Sequence, residues 1–403
     1  MNCTKAIIFR NRSLVQKSIR FTKKASSAFA RQANASKVSA VSPDRPRKNE
    51  AKMKLYFADW AKVDLPRNHR FPMEKYELVR ERLRASEIEE NLSVRFVESP
   101  LASVEDVLLT HDEAYVKRVI EQKLSREEAR TIGFPMNGGN DKDDNEELTD
   151  EELARGKQHV TRSLASTGGT IAATRNVLEN DSFMWAGQLA GGTHHAFRDH
   201  GEGFCVFNDI ACAINVARRD YKHLFVSENT IEVKKILIVD LDVHQGNGTA
   251  KIFEDDTDVI TYSMHGDRNY PWKTRTISDY DIALPDNCED DEYLEKLNAS
   301  LPAVFEKHKP FLVYFQAGID ALKEDSFGRL SLTREGLRKR NNIMFNLCIK
   351  YKTKLVVTMG GGYAKPIEPS IECHADVFRI MALKNKGIVD EQNYLLSAAT
   401  SNG

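Results

Sequence analysis

The run KKILIVDLDVHQGNG at residues 234–248 decides how the chain folds. Ile236 to Val239 have the composition of a strand buried on both faces, and a glycine-rich turn opens just beyond them. Side chains along a strand point to alternate faces, so Asp240, Asp242 and His244 share one face. Two carboxylates and an imidazole at the end of an apolar strand are costly to bury without compensation, and a divalent metal compensates them well.

Outward from this run the same pattern recurs. Apolar stretches at 184–192, 259–265, 311–320 and 354–363 are separated by helical spacing at 208–220, 292–307 and 333–350. A small-residue helix at 156–180 precedes them, and KLYFADW (54–60) reads as a first strand followed by an amphipathic helix at 73–85. Helical spacing also covers 103–122, where Ser103 can cap a helix and His111 reads as structural. Alternating strands and helices predict an α/β fold in one domain, a central parallel sheet with helices on both faces.

The strands end in groups that a core does not need. The 184–192 run leads to His194 and His195, the 236–242 run to Asp242 and His244, the 259–265 run to His265, the 311–320 run to Asp320, and the last to Gly360, Gly361, Gly362 and Tyr363. Ligands of open parallel sheets bind outside the carboxyl ends of the strands, so these residues are expected at one rim. Asp242, His244 and Asp320 offer zinc two oxygens and a nitrogen and leave a position for water. An ion there acidifies water and polarises a carbonyl, which implies hydrolysis. Of His194 and His195, one serves as base and acid while the other stays charged beside the oxyanion, with Asp240 available as a carboxylate partner. Tyr363 can donate a hydrogen bond to the same oxyanion.

Composition narrows the class. The chain has 403 residues, 41% hydrophobic and 29% charged, which suits a large globular domain with tails. No stretch is apolar enough to span a bilayer, and six scattered cysteines form neither a disulfide framework nor a CxxC zinc module. Residues 1–50 hold 12 Lys and Arg against Asp44 and Glu50, which leaves 46 basic and 57 acidic residues in the remainder. An acidic body is a poor direct binder of nucleic acid. The acid-poor, Ser-rich leader at 1–52 reads as a transit peptide for a mitochondrion or plastid, with a nuclear or cytoplasmic location as the alternative. Residues 137–152 read as a solvated acidic insertion, the catalytic domain as 53–383, and 384–403 as a polar tail that adds little to the core.

The motifs GGTHHAF, GEGFCVFND, DLDVHQGNG, AGIDAL and GGGY resemble the histone deacetylase superfamily, most closely its class IV and the related bacterial and plant-type deacetylases. HRFPMEKY (69–76) and RTIGFP (130–135) are similar to that family's early segments. The resemblance implies zinc on Asp242, His244 and Asp320, Asp240 as the partner of His194, and Tyr363 as the carbonyl-polarising group. Phe204 and Tyr270 would wall an acyl-lysine tunnel, with Phe327, Gly203, Gly361 and Gly362 also along it. A structural potassium would sit on backbone carbonyls of Asp240, Asp242 and His244 with Ser263 and Met264. Asn247 stands where class I has Asp, which implies a less basic His195. The implied activity is removal of acetyl or longer acyl groups from lysine side chains, with a small acylated amine as an alternative substrate. A two-manganese ureohydrolase needs more aspartates than AGIDAL supplies, and an inactive acyl-lysine-binding scaffold is disfavoured by the intact ligand, His and Tyr positions.

Overall fold

The computed structural model describes residues 52–86, 88–135, 149–180, 185–226 and 233–400. The leader at 1–52, apart from Lys52, and most of the acidic insertion at 137–152 therefore lie outside the described residues. Among the described residues eight strands form one sheet: β1 (Met53–Phe57), β2 (Val94–Glu98), β3 (Trp185–Gln188), β4 (Ile236–Asp240), β5 (Val259–Gly266), β6 (Tyr280–Leu284), β7 (Leu312–Gln316) and β8 (Lys354–Thr358). Their order is β2-β1-β3-β8-β7-β4-β5-β6, and every pairing is parallel.

Two neighbouring residues show that helices cover both faces. A Cβ at Gly187 would come 2.9 Å from Phe378, on the helix Glu368–Thr400. Gln188, one residue on and so facing the other way, donates from Nε2 to the Ser166 carbonyl at 3.2 Å, on the helix Asp150–Leu178. Small residues of that second helix allow the contact: a Cβ at Gly169 would sit 2.0 Å from Gln188 Nε2, and one at Gly168 would sit 2.0 Å from the Pro100 carbonyl. The central strands β4 and β7 are buried along their whole length, as their apolar runs require.

Four sequence expectations change at their edges. The helix expected from 156 starts at Asp150 behind a Thr149/Glu152 capping box, so the last acids of the insertion stabilise its N-terminus. The helical stretch 103–122 splits into Val104–Val107 and Glu113–Ile120, with the Ser103 side chain accepting from Asp106 N at 3.1 Å. The strands β2 and β6 were not expected; they are the sheet edges, and their half-polar sequences VRFVE and YDIAL carry weak strand signals. The tail after 384 does contribute to the core. Helix Glu368–Thr400 runs through it, and buried Asn385 accepts from Trp185 N at 3.2 Å, closing the start of β3.

The topology selects one place for a site. From β4 the chain moves to β5 on one side, whereas from β7 it moves to β8 on the other, and β4 and β7 are neighbours. Their outgoing loops therefore diverge and leave a crevice between the strand ends, which is a topological switch point. Asp242 and His244 follow β4, and Asp320 follows β7.

Candidate active site

In the crevice, Asp242, His244 and Asp320 are all buried, and one ligating atom from each lies within 4.8 Å of the others. His244 Nδ1 is 2.9 Å from Asp242 Oδ1 and 3.1 Å from Asp320 Oδ2. Backbone amides preset the carboxylates: Val243 N donates to Asp320 Oδ1 at 2.8 Å and Gly361 N to Asp242 Oδ2 at 2.9 Å. Gln316, the last residue of β7, adds its Nε2 to Asp242 Oδ2 at 3.0 Å. Below the cluster the buried guanidinium of Arg340 donates to the carbonyls of Leu241 (3.1 Å) and Gly318 (2.6 Å), tying the two loops together.

These residues fit a divalent cation. Asp320 Oδ2 is fully buried and, apart from the His244 ring nitrogen 3.1 Å away, has no hydrogen-bond partner among the described residues. Burial, and then the neighbouring Asp242 carboxylate, push the Asp320 carboxyl up to about 7. A Cβ at Gly361 would come 2.1 Å from Asp320 Oδ2 and 2.8 Å from Asp242 Oδ2, so glycine keeps the space over both oxygens clear. Two carboxylates and one imidazole form a donor set suited to zinc and its neighbours in the first transition row. Among the described residues, this is the one group of three or more His, Cys, Asp or Glu with metal-ligand spacing. His265, which the sequence brought to the same rim, pairs with Ser263 Oγ at 3.0 Å and does not join it.

The two adjacent histidines have different partners. His194 Nδ1 donates to Asp240 Oδ2 at 2.6 Å. Burial opposes a charge on His194, but the Asp240 and Asp242 carboxylates outweigh it and hold the imidazolium up to about 9. His195 Nδ1 lies 2.6 Å from Asn247 Oδ1. Burial, then the neighbouring His194 and His244, push His195 far below the usual range, and the hydrogen bond to the Asn247 amide does not reverse this. The loop that carries the pair is pinned by buried Asp209, which accepts from Thr193 N (2.8 Å), Thr193 Oγ1 (2.6 Å) and Gly192 N (3.2 Å).

A cavity of about 360 Å³ opens onto these groups. Phe204 and Phe327 face each other across it with ring centroids 6.3 Å apart, and Tyr363 packs 4.7 Å from Phe327. Tyr270 sets its ring edge-on to His195 at 5.0 Å. Gly203 has φ +54°, and a Cβ there would come 2.7 Å from His195 Cδ2, so this turn needs glycine. The Tyr363 side chain is half-buried, and its phenol is pushed well above its usual range by desolvation and by Asp320 and Asp242, so it stays a proton donor. Of the expected tunnel residues, Gly362 alone does not line the cavity; a Cβ there would meet His374 Nε2 at 2.6 Å, on the far side of the loop.

Sequence reasoning missed Phe71 and Lys75, which line the cavity, although both lie in the HRFPMEKY motif. It also gave no role to Asp325, which accepts from Tyr363 N (2.6 Å), Phe327 N (2.8 Å) and Gly328 N (2.9 Å) and so fixes tyrosine and rim together. Asp209 closes the quoted GEGFCVFND motif, so its position was visible but its role was not. Asp240, at the end of β4, is level with Ser263 on β5.

Known proteins share this arrangement of chain. Residues 69–379 match the histone deacetylase domain model. An uncharacterized protein of Picosynechococcus sp. is 34% identical over 325 residues, covering 81% of this chain and 96% of its own. Histone deacetylase 2 of Arabidopsis thaliana is 32% identical over 200 residues, 49% of this chain and 48% of that one. The acetoin utilization protein AcuC of Bacillus subtilis is 28% identical over 278 residues, 65% of each chain. A crystal structure described as an HDAC homolog complexed with SAHA superimposes with a TM-score of 0.63 at 24% identity, covering 84% of each chain, which is a likeness of fold.

Proposed function

Because the chain belongs to the histone deacetylase family of hydrolases, we propose that it is a zinc-dependent deacylase that removes acetyl or longer acyl groups from lysine side chains. The observation that carries this reading is convergence. An Asp-His-Asp donor set, two histidines of opposite protonation preference and a neutral, half-buried tyrosine meet at one aromatic-walled cavity. When bound to Asp242, His244 and Asp320, zinc would supply Lewis acidity to water and to the acyl carbonyl.

The chain's own residues divide the remaining work. His195, neutral and hydrogen-bonded through Nδ1, keeps Nε2 free to accept a proton from the attacking water. The water oxygen bonds to the acyl carbon, the carbon–nitrogen bond breaks, and the proton passes to the leaving amine. His194, held charged by Asp240, and the Tyr363 phenol stabilise the negative charge that builds on the acyl oxygen. Phe204, Phe327 and Tyr270 exclude water from the methylene chain of lysine. Asn247 beside His195 supports the class IV affinity, and a structural monovalent cation on the backbone of Asp240, Asp242 and His244 with Ser263 and Met264 belongs to the same proposal.

Turnover of a fluorogenic acetyl-lysine peptide, blocked by a hydroxamate and lost in His195→Ala, tests the activity; an inactive wild type that still binds zinc would overturn it. No helix among the described residues is long and apolar enough to cross a membrane. The import reading of the leader is tested by fusing residues 1–50 to a fluorescent reporter, and nuclear signal would contradict it.

A further inference from the structure

We infer that Glu202 is a positioning residue for the site: through Asn247 it sets the orientation of His195, and through Tyr270 it holds the cavity wall against that histidine. The inference rests on the deacylase reading for its kinetic readout alone.

Glu202 lies in the GEGF turn and is 3% exposed. One of its oxygens gathers three donors. Oε1 accepts from the Tyr270 hydroxyl, from Thr274 Oγ1 at 2.6 Å and from Asn247 Nδ2 at 3.3 Å. The other oxygen, Oε2, is buried without a hydrogen-bond partner among the described residues, with His200 Nε2 4.0 Å away. A carboxylate in this position is an acceptor and nothing else, so every group facing it must donate. Asn247 therefore turns its NH2 toward Glu202. Its second N–H goes to the Thr274 carbonyl at 3.1 Å, which enforces the same orientation.

That choice propagates. With both amide hydrogens committed, Asn247 can present only its oxygen to His195, and His195 must carry its proton on Nδ1. Nε2 is then the nitrogen left for chemistry. Thr274 belongs to the same device, since its Oγ1 donates to Glu202 and its carbonyl takes Asn247. Tyr270, whose ring stands edge-on to His195 at 5.0 Å, is tied to the same carboxylate oxygen. A single buried side chain thus couples the proton-carrying histidine to the wall that receives substrate. A neutral glutamine could fill the space but could also turn its NH2 toward Asn247, and the orientation would no longer be unique.

The test is a double-mutant cycle with Glu202→Gln and Asn247→Asp in the zinc-loaded protein, read as kcat, KM and thermal midpoint. Asn247→Asp alone sets two buried carboxylates within hydrogen-bonding reach and is expected to lower kcat about a hundredfold. Glu202→Gln alone is expected to lower kcat about tenfold, because the Asn247 orientation is no longer fixed. The double variant exchanges amide and carboxylate, so its kcat should exceed the product of the two single effects by about tenfold or more, with recovery of thermal midpoint. A group that merely fills space would give no such recovery, so additive effects on both kcat and midpoint overturn the inference. If Asn247→Asp does not fold, the cycle of Glu202→Gln with Tyr270→Phe replaces it, with non-additivity in KM expected and additivity again overturning. If the wild type turns over no acetyl-lysine peptide, the deacylase reading fails by itself, and the midpoint cycle still decides for or against Glu202.

Discussion

His194 and His195 are neighbours in sequence, their rings lie 4.1 Å apart, and both are buried, yet they are built as opposites. His194 meets a carboxylate directly, in Asp240, and is held charged. His195 meets an amide, in Asn247, with the Glu202 carboxylate one residue further out, and is held neutral. The difference teaches that the roles of two identical side chains are set by the acid or amide behind each. Groups whose surroundings push their protonation apart are the ones that can share acid and base work.

This contrast can be broken at several points. The largest effect is expected from His195→Ala, which removes the proton carrier and should lower kcat about a thousandfold or more with zinc still bound, as measured by peptide turnover and metal content. Next is Asp240→Asn, which gives both histidines an amide partner. With the carboxylate gone, His194 no longer holds its charge, and kcat should fall about a hundredfold with KM little changed. A smaller loss is expected from Gly203→Ala. The added methyl would press on His195 and Tyr270 at a residue with φ +54°, so KM should rise about tenfold and the thermal midpoint should drop by a few degrees. The smallest change is expected from Phe327→Leu, which touches neither histidine. It should widen the rim and raise kcat/KM for bulky acyl-lysine substrates about threefold relative to acetyl-lysine.

How much of this could be read from the sequence depended on whether a residue acts within its own run. The run 234–248 disclosed Asp242 and His244 because charged groups break an apolar pattern there, although β4 ends at Asp240 and the two residues lie on its outgoing loop and not on a shared strand face. Asp320 joined them because the parallel sheet sends every strand's carboxyl end to one rim. His111 also read correctly as structural: it is buried, and its Nε2 accepts from Asn208 N at 2.9 Å. Glu202 and Asp325 escaped notice because their partners lie 30 to 70 residues away, at Asn247, Tyr270 and Tyr363, and only tertiary contact shows that they matter. Gly362 misled for the opposite reason. Three consecutive glycines look equivalent in sequence, but the turn aims Gly361 at the carboxylates and Gly362 at His374. The sheet edges β2 and β6 and the buried Asn385 were hidden by half-polar composition, which propensity reads as loop or tail.

The central claim is that Asp242, His244 and Asp320 hold a metal on which acyl-lysine hydrolysis depends. It is tested most directly by stripping the protein with a chelator, restoring zinc, and following an acetyl-lysine peptide by mass spectrometry alongside metal content. The expected result is one zinc per chain, deacetylated peptide and acetate in equal amounts, no turnover without metal, and loss of both zinc and turnover in Asp320→Ala. Full turnover by the stripped protein, or zinc retained undiminished in Asp320→Ala, would contradict it.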